Sequence, residues 1–179
     1  MLGTATSDID DDGDIDIITA GLDGVKVYIQ QENNSFEAKI VDDVDALRVQ
    51  VIDLNNDGPL DLLVTLKDDP GVRWYRNTGN IEFTGTSLGT GNQGRAYAGD
   101  INGDGAADII AVTNLSETLQ LRRWMNDGSG TFSSTTLDSD SGVTAIIVAD
   151  INGNGYDDII TLGSKGLQHW DTSDGFTWA

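Results

Sequence analysis

One nine-residue pattern occurs four times and constrains the fold more than any other feature of the chain. It reads D-x-[DN]-x-[DN]-G-x-x-D and begins at Asp8, Asp53, Asp100 and Asp150. The spacings between these aspartates are 45, 47 and 50 residues. A fixed period in this range is typical of solenoids, propellers and other repeat arrays. We therefore predict four repeats of about 47 residues each.

Each copy of the pattern has the ligand chemistry of a calcium loop. Calcium takes about six to eight oxygen ligands, and side chains at positions 1, 3 and 5 supply oxygens from alternate residues. Glycine at position 6 permits the sharp turn, the carbonyl of position 7 can face the ion, and the aspartate at position 9 can give two oxygens. The predicted metal ligands are Asp8, Asp10, Asp12, Asp14 and Asp16 in loop 1; Asp53, Asn55, Asp57, Pro59 and Asp61 in loop 2; Asp100, Asn102, Asp104, Ala106 and Asp108 in loop 3; and Asp150, Asn152, Asn154, Tyr156 and Asp158 in loop 4.

Three alternatives to this interpretation were considered. Asp, Asn and Gly are ordinary turn residues, but turns without a metal do not need an acidic residue three places after glycine four times over. An EF-hand has glutamate at position 12, which here is Thr19, Val64, Ala111 or Thr161. A dockerin loop leads into a helix, whereas short β-branched runs such as Ile17-Ile18 follow these loops.

Each repeat reads as four strands. In the first repeat we predict strands over Gly3 to Ser7, Ile15 to Ala20 and Gly24 to Gln30, and a fourth that begins at Phe36. Four strands in this length are typical of a propeller blade rather than of a βα unit. The predicted fold is all-β, a β-propeller of four-stranded antiparallel blades. The predicted blades span residues 1–45, 46–93, 94–142 and 143–179 of one domain.

An aromatic residue recurs in every third strand. These residues are Tyr28, Tyr75, Trp124 and Trp170. A stripe of aromatic rings could stack on sugars, but equivalent large side chains in every blade more often fill the space between blades. We therefore predict packing roles for them.

On these loops and strands, the chain resembles the FG-GAP and VCBS repeat families found in integrin α-subunit propellers and in many secreted bacterial proteins. The resemblance covers nearly the whole chain. It implies a β-propeller with an ion between the first and second strands of each blade, and thus up to four Ca²⁺. It also implies an extracellular, periplasmic or cell-surface protein, but no single function.

Composition limits the partners. The formal net charge is −20, and four bound Ca²⁺ would reduce it only to −12. An acidic surface argues against nucleic acid and anionic membranes as partners. The sequence has no long apolar run, so no membrane insertion is expected.

Catalysis finds little support in the residue types present. The chain has no cysteine, and its single histidine, His169, lies beside Trp170 in a predicted strand. The favoured function is a non-catalytic calcium-binding module for binding or adhesion, with a glycan or a protein as ligand. The alternative is the propeller part of a polysaccharide-degrading enzyme such as a lyase.

Two further expectations concern surfaces. The ligand is expected on the face opposite the calcium loops, where the polar link from Thr84 to Arg95 includes Asn92, Gln93 and Arg95. The four blades could close alone, pair as a homodimer into eight blades, or belong to a longer propeller. We favour an incomplete or self-associating unit.

Overall fold

The computed structural model describes residues 3–68, 71–89, 95–115, 118–139, 142–172 and 177–178. These residues form sixteen strands, and no helix occurs among them. The strands pair into four sheets of four, in which neighbours along the chain are neighbours in the sheet and all pairs are antiparallel. The all-β prediction is therefore confirmed.

The strands have the following bounds. Sheet 1 consists of β1 (Gly3–Ser7), β2 (Asp16–Gly21), β3 (Gly24–Gln30) and β4 (Phe36–Asp42). Sheet 2 consists of β5 (Ala46–Ile52), β6 (Asp61–Leu66), β7 (Val72–Asn77) and β8 (Phe83–Gly89). Sheet 3 consists of β9 (Arg95–Gly99), β10 (Asp108–Leu115), β11 (Thr118–Asn126) and β12 (Phe132–Asp138). Sheet 4 consists of β13 (Val143–Ala149), β14 (Asp158–Gly163), β15 (Gly166–Asp171) and β16 (Thr177–Trp178).

The second strand of each sheet begins at the closing aspartate of a loop. In sheet 1 it begins at Asp16, one residue later than the predicted Ile15. The reason is that Asp16 pairs with Ser7 across the ladder, whereas Ile15 belongs to the loop and is largely exposed. Each acidic loop therefore connects the first and second strands of its sheet.

The chain divides into two compact units. The first comprises Met1–Asp53 and Gly58–Gly94, and the second comprises Leu54–Asp57 and Arg95–Ala179. In the first unit, buried residues of sheets 1 and 2 form one apolar cluster that includes Ile18, Val25, Leu62 and Tyr75. In the second unit, sheets 3 and 4 share a cluster that includes Ile101, Leu121, Ile159 and Trp170.

Burial differs between the strands of one sheet as their sequences require. All six residues of β6 are buried, including the run from Leu62 to Leu66, as in a strand covered on both faces. By contrast, β8 is rich in Thr, Ser and Gly, and much of it is exposed at the edge of its sheet. Within the described ranges, the fold contains no helix of the length and apolarity needed to cross a bilayer.

Candidate metal centre

The first aspartate of each loop holds the turn of its own loop. In loop 1, Asp8 accepts hydrogen bonds from the backbone N–H groups of Asp12 at 3.1 Å and Gly13 at 3.0 Å. The bond from position 6 to position 1 recurs in the other loops, as Gly58 to Asp53, Gly105 to Asp100 and Gly155 to Asp150. These bonds point the backbone of each turn inward around one carboxylate.

The glycine at position 6 adopts a left-handed backbone in every loop, as predicted. Its φ is 94° at Gly13, and the equivalent residues Gly58, Gly105 and Gly155 have φ between 86° and 103°. Position 4 is also left-handed, which the pattern did not reveal. Its residues are Asp11, Asn56, Gly103 and Gly153, which are the residue types that tolerate this conformation best.

The closing aspartate at position 9 is fully buried in every loop. In loop 1, Asp16 accepts the N–H of Ile9 at 3.0 Å and the N–H of Gln30 at 2.8 Å, one on each oxygen. Asp108 and Asp158 accept equivalent pairs from Ile101 and Asn126, and from Ile151 and Thr172. Asp61 accepts the N–H of Asn77. The closing aspartate thus joins its loop to the end of the third strand, besides any role as a metal ligand.

Loop 1 brings three carboxylates together. One oxygen from each of Asp8, Asp10 and Asp16 lies within 4.8 Å of the other two. Oxygen-only donors at this separation suit a hard cation such as Ca²⁺. No other trio of acidic, histidine or cysteine side chains in the described ranges comes together in this way, and loops 2 to 4 have asparagine at position 3.

Electrostatics in the loops agree with this arrangement. The pKa of Asp10 is raised above its usual value by partial desolvation within the loop and by the neighbouring charges of Asp16, Asp12 and Asp8. Burial raises the pKa of Asp108 to about 6, against the lowering effect of its two backbone hydrogen bonds. The pKa of Asp150 is lowered, because backbone N–H groups led by that of Gly155 stabilise its carboxylate. A bound cation would relieve the repulsion at Asp10.

One third-strand residue faces the closing aspartate and differs from sheet to sheet. In sheet 2, Trp74 Nε1 donates a hydrogen bond to Asp61 Oδ2 at 2.9 Å. In sheet 4, His169 occupies this position, and its Nε2 lies 3.5 Å from Asp158 Oδ2. Arg123 occupies it in sheet 3, where the charge of Asp108 opposes the lowering of its pKa by burial. In sheet 1 the position holds the buried, apolar Val27.

Position 7 contributes its N–H to the loop wherever it has one. Asp14, Ala106 and Tyr156 donate to the side chain at position 5, which is Asp12, Asp104 or Asn154. Pro59 lacks this donor. Because the N–H is used in this way, the carbonyl of position 7 is the group left to face an ion, and that ligand role stays a prediction.

The asparagine side chains at position 3 of loops 2 and 3 also form hydrogen bonds within their own loops. The amide of Asn55 donates to Asp57 at 2.7 Å, and that of Asn102 donates to Asp104 at 2.6 Å. An asparagine in this position therefore offsets part of the negative charge of its neighbour, which Asp10 in loop 1 does not do.

Two asparagines at the ends of third strands support the loops and were not singled out by the sequence. Asn77 donates its amide to the carbonyl of Leu60 at 3.2 Å and accepts the N–H of Gly79 at 3.0 Å. Asn126 does the same with the carbonyl of Ala107 at 2.9 Å and the N–H of Gly128 at 3.1 Å. Their recurrence as Asn-x-Gly, in Asn77-Thr78-Gly79 and Asn126-Asp127-Gly128, was the available signal.

A cleft of about 400 Å³ opens beside loop 1 in the first unit. It is lined by Asp8, Asp10 and Asp11 of loop 1, by Gly58 to Leu60 of loop 2, by Asn77 at the end of β7, and by Gly79 and Asn80 of the turn that follows. Its walls combine carboxylates, an amide and the apolar surface of Ile9 and Leu60. Such mixed walls suit a polar ligand with an apolar face.

Of the three predicted ligand-binding residues, Asn92 and Gln93 lie outside the described residues. Arg95 is the first residue of β9, and its guanidinium donates a hydrogen bond to the carbonyl of Thr144 in β13. Arg95 therefore already has a role within the second unit.

Four all-β repeats with acidic, glycine-containing turns define a β-repeat protein with candidate metal-binding loops. The family model described as FG-GAP-like repeat matches residues 8–64, 53–111 and 100–161. The chain belongs to the FG-GAP-like repeat family.

The comparison with solved structures gives nine matching chains. One is a lectin of Agrocybe aegerita, described as specifically recognising non-reducing terminal N-acetylglucosamine. The TM-score is 0.68 at 22% sequence identity, and the match covers 98% of this chain and 51% of the lectin chain. The chain thus spans about half the length of that relative, and the likeness concerns the fold. No curated protein matches the chain.

Proposed function

We propose that this chain is a calcium-binding β-propeller module that acts outside the cell, or at its surface, by binding a glycan or a protein without catalysis. The observation that carries the proposal is the cluster of Asp8, Asp10 and Asp16 in a turn whose hydrogen-bond frame recurs in all four repeats. Four equivalent turns, one per four-stranded sheet, fit a metal-stabilised blade array better than four unrelated loops.

Calcium has a structural task in this proposal. The loops connect the first and second strands of each sheet, and their closing aspartates reach the end of the third strand. An ion held at positions 1, 3, 5 and 9 would therefore fix three strands of a sheet relative to one another. Neutralising clustered carboxylates is the physical source of that stabilisation.

A glycan is the first ligand to test. The lectin that shares the fold binds a terminal sugar, and the cleft beside loop 1 combines carboxylates and an amide with an apolar wall. Sugar hydroxyls pair with such polar groups, and the apolar wall suits the C–H face of a pyranose ring. The net charge of −20 favours neutral or basic ligands over anionic ones.

The experiment is a glycan array probed with labelled chain in millimolar Ca²⁺ and again in excess chelator. Signals for a defined set of glycans that disappear with chelator support the proposal. Uronic-acid polymers incubated with the chain serve as the enzymatic arm, because a lyase would generate unsaturated products that absorb in the ultraviolet. Formation of such products would contradict a non-catalytic role, and equal array signals with and without Ca²⁺ would contradict the calcium dependence.

A further inference from the structure

All the exposed large hydrophobic side chains of the described residues lie in the first and last sheets or in their loops. They are Ile15, Leu22, Phe36, Ile40, Ile147, Ile151, Leu162 and Leu167. Because the four repeats share one architecture, each of these positions can be compared with its equivalents in the other sheets. The comparison shows which faces lack the cover that their equivalents have.

Position 2 of the acidic loops gives the clearest comparison. Ile9, Leu54 and Ile101 occupy it in loops 1 to 3 and are between 0% and 4% exposed, whereas Ile151 in loop 4 is 57% exposed. The residue type is the same in three of the four loops. The difference therefore lies in what covers the position and not in the side chain.

Two strand positions repeat this result. Leu162 of β14 is 49% exposed, whereas the equivalent Ala20, Thr65 and Val112 are at most 4% exposed. Leu167 of β15 lies directly opposite Leu162 and is 74% exposed. Its equivalents, Val25, Val72 and Leu121, are at most 1% exposed. One face of sheet 4 carries Leu162, Leu167 and also Ile147 of β13, which lies opposite Ile160. This face is called here the forward face.

The structure shows what covers the forward face elsewhere. In the first unit, the forward-face residues Ile18 and Val25 of sheet 1 pack in one cluster with Leu62 and Tyr75 of sheet 2. Leu62 and Tyr75 are paired across β6 and β7 and lie on the opposite face of their sheet, called here the backward face.

The second unit repeats this contact. Ile101 and Leu121 of sheet 3 pack with Ile159 and Trp170 of sheet 4. Ile159 and Trp170 are paired across β14 and β15, as Leu62 and Tyr75 are across β6 and β7. A forward face is therefore covered by the backward face of another blade of the same kind.

The same chain carries a backward face that is incompletely covered. In sheet 1, Ile17 and Tyr28 are half-buried, whereas their equivalents in the other three sheets are at most 3% exposed. Phe36 of β4 lies opposite Gln30, on the face of Tyr28, and is 44% exposed, whereas its equivalents Phe83 and Phe132 are half-buried. Phe83 packs against the cluster that sheets 1 and 2 share. Sheet 1 thus presents an apolar surface of the type that covers forward faces inside the chain.

We propose that the forward face of sheet 4 docks on the backward face of sheet 1 of a second copy of this chain. Two such contacts, related by a twofold axis, would join two chains into an assembly of eight sheets. A heterologous contact closes when its rotation brings the last copy back to the first, and eight is within the range of blade numbers that propellers use. The proposal rests on the blade architecture of the proposed function but not on its ligand.

Charge sets the conditions for this association. Each copy has a formal net charge of −20, so two copies repel each other at low ionic strength. Bound Ca²⁺ lowers the charge and added salt screens it. We therefore expect the dimer to be stronger in Ca²⁺ and in physiological salt than in chelator and low salt.

The test is the mass of the full chain in solution, measured by light scattering and by sedimentation over a range of concentrations in Ca²⁺. The expected mass is twice the 19.1 kDa of one chain. Leu167→Glu on the forward face and Phe36→Glu on the backward face should each weaken dimerisation at least tenfold. Both side chains are exposed in the single chain, so folding should persist. Thr86→Glu, at an exposed position of β8 in sheet 2, is the matched control and should remain dimeric.

Mixing the two variants distinguishes this specific contact from nonspecific association of apolar surfaces. A dimer of Leu167→Glu with itself has two damaged contacts, and so has a dimer of Phe36→Glu with itself. The mixed dimer has one doubly damaged contact and one native contact, so an equimolar mixture should recover dimers. A wild-type chain that is monomeric at all concentrations yet still binds Ca²⁺ overturns the dimer and leaves the proposed function standing. Open-ended growth beyond two chains, or absence of recovery in the mixture, also overturns it.

Discussion

The indole nitrogen of Trp74 donates a hydrogen bond to Oδ2 of Asp61 at 2.9 Å, and Asp61 is the closing aspartate of loop 2. The same third-strand position holds Val27, Arg123 and His169 in the other sheets. Loop 2 therefore has a neutral donor at its closing aspartate, loops 3 and 4 have a basic side chain, and loop 1 has an apolar one. This difference distinguishes loops that share one sequence pattern.

Replacing Trp74 with phenylalanine tests the contribution of this bond. A hydrogen bond to a charged group contributes about 1.5–3 kcal/mol, so Trp74→Phe should lower the free energy of unfolding by about that amount. Denaturant titrations in chelator would measure it. A double-mutant cycle with Asp61→Ala should give less than additive losses, because either change removes the same bond. Additive losses would mean that the two side chains are energetically independent.

The calcium affinities of the four loops should be graded. Carboxylates at positions 1, 3, 5 and 9, where the side chain is the predicted ligand, number four in loop 1, three in each of loops 2 and 3, and two in loop 4. More ligand charge tightens Ca²⁺ binding in general, so loop 1 should be the tightest site and loop 4 the weakest. Titration calorimetry would measure the affinities of the tightest, intermediate and weakest sites.

The structure indicates which substitutions test this ranking without unfolding the chain. Asp16 and Asp158 each accept backbone N–H groups and are fully buried, so changing them would also damage the fold. Asp10 is exposed. Asp10→Asn should therefore weaken the tightest site, and the converse change Asn152→Asp should strengthen the weakest one. Equal affinities in the two variants and the wild type would contradict the ranking.

Calcium should raise the stability of the whole chain. With a dissociation constant near 10 μM, about 1 mM Ca²⁺ stabilises by about 2.7 kcal/mol per site. For a chain of this size that amounts to about 5–10 °C in melting temperature for each occupied site. Thermal melts in Ca²⁺ and in chelator would show it, with Mg²⁺ as the control for ionic strength. An unchanged melting temperature would mean that the ions are not structural.

The pKa of Asp108 predicts proton release on metal binding. Burial raises this pKa to about 6 in the folded chain, from an ordinary value of 3.8. Because the folded chain binds this proton more tightly than the unfolded chain, protonated Asp108 favours folding. This contribution to the free energy of unfolding is complete below pH 3.8 and is lost as the pH rises through about 6. Ca²⁺ binds the carboxylate, so loop 3 should release about half a proton per ion at pH 6 and almost none at pH 8. Calorimetry in two buffers of different ionisation enthalpy would measure this release, and heats that do not depend on the buffer would contradict it.

The sequence predicted those parts of the site in which the role of a residue depends only on its near neighbours along the chain. Gly13 is an example, because position 6 must be left-handed whatever surrounds it. Each strand that follows a loop was also predictable, since β-branched runs such as Ile17-Ile18 directly succeed the closing aspartate. These signals are contained within nine to twelve residues of one repeat.

The parts that sequence missed depend on register between strands. Asp16 accepts the N–H of Gln30, which is fourteen residues away along the chain, and this bond exists only because β2 and β3 pair as they do. The side chain that faces a closing aspartate varies from Val27 to Arg123, so no repeated residue type marked the position. Ile151 is likewise 57% exposed whereas Ile9 and Ile101 are buried, although the loop sequences are alike, so its exposure depends on the surroundings of the loop and not on the loop sequence.

The ligand site is expected away from the acidic loops. The sequence places it on the face opposite the calcium loops, in the link that includes Asn92, Gln93 and Arg95, because variable loops on a rigid scaffold commonly bind ligands. Replacing all three with alanine should abolish binding of any glycan found on the array and leave the Ca²⁺ affinity unchanged. Arg95 also donates to the carbonyl of Thr144, so the melting temperature of the variant must be measured beside its binding.

The matched comparison is the cleft beside loop 1. Asn80→Ala removes a side chain that lines it, at a left-handed turn position outside the metal-ligand set. If the link binds the ligand, this variant should retain wild-type affinity, since the cleft is then only a gap between turns. Loss of glycan binding in Asn80→Ala, with binding intact in the triple variant, would instead mean that the ligand binds in the cleft beside loop 1. There the carboxylates of Asp8 and Asp11 would be the next groups to change.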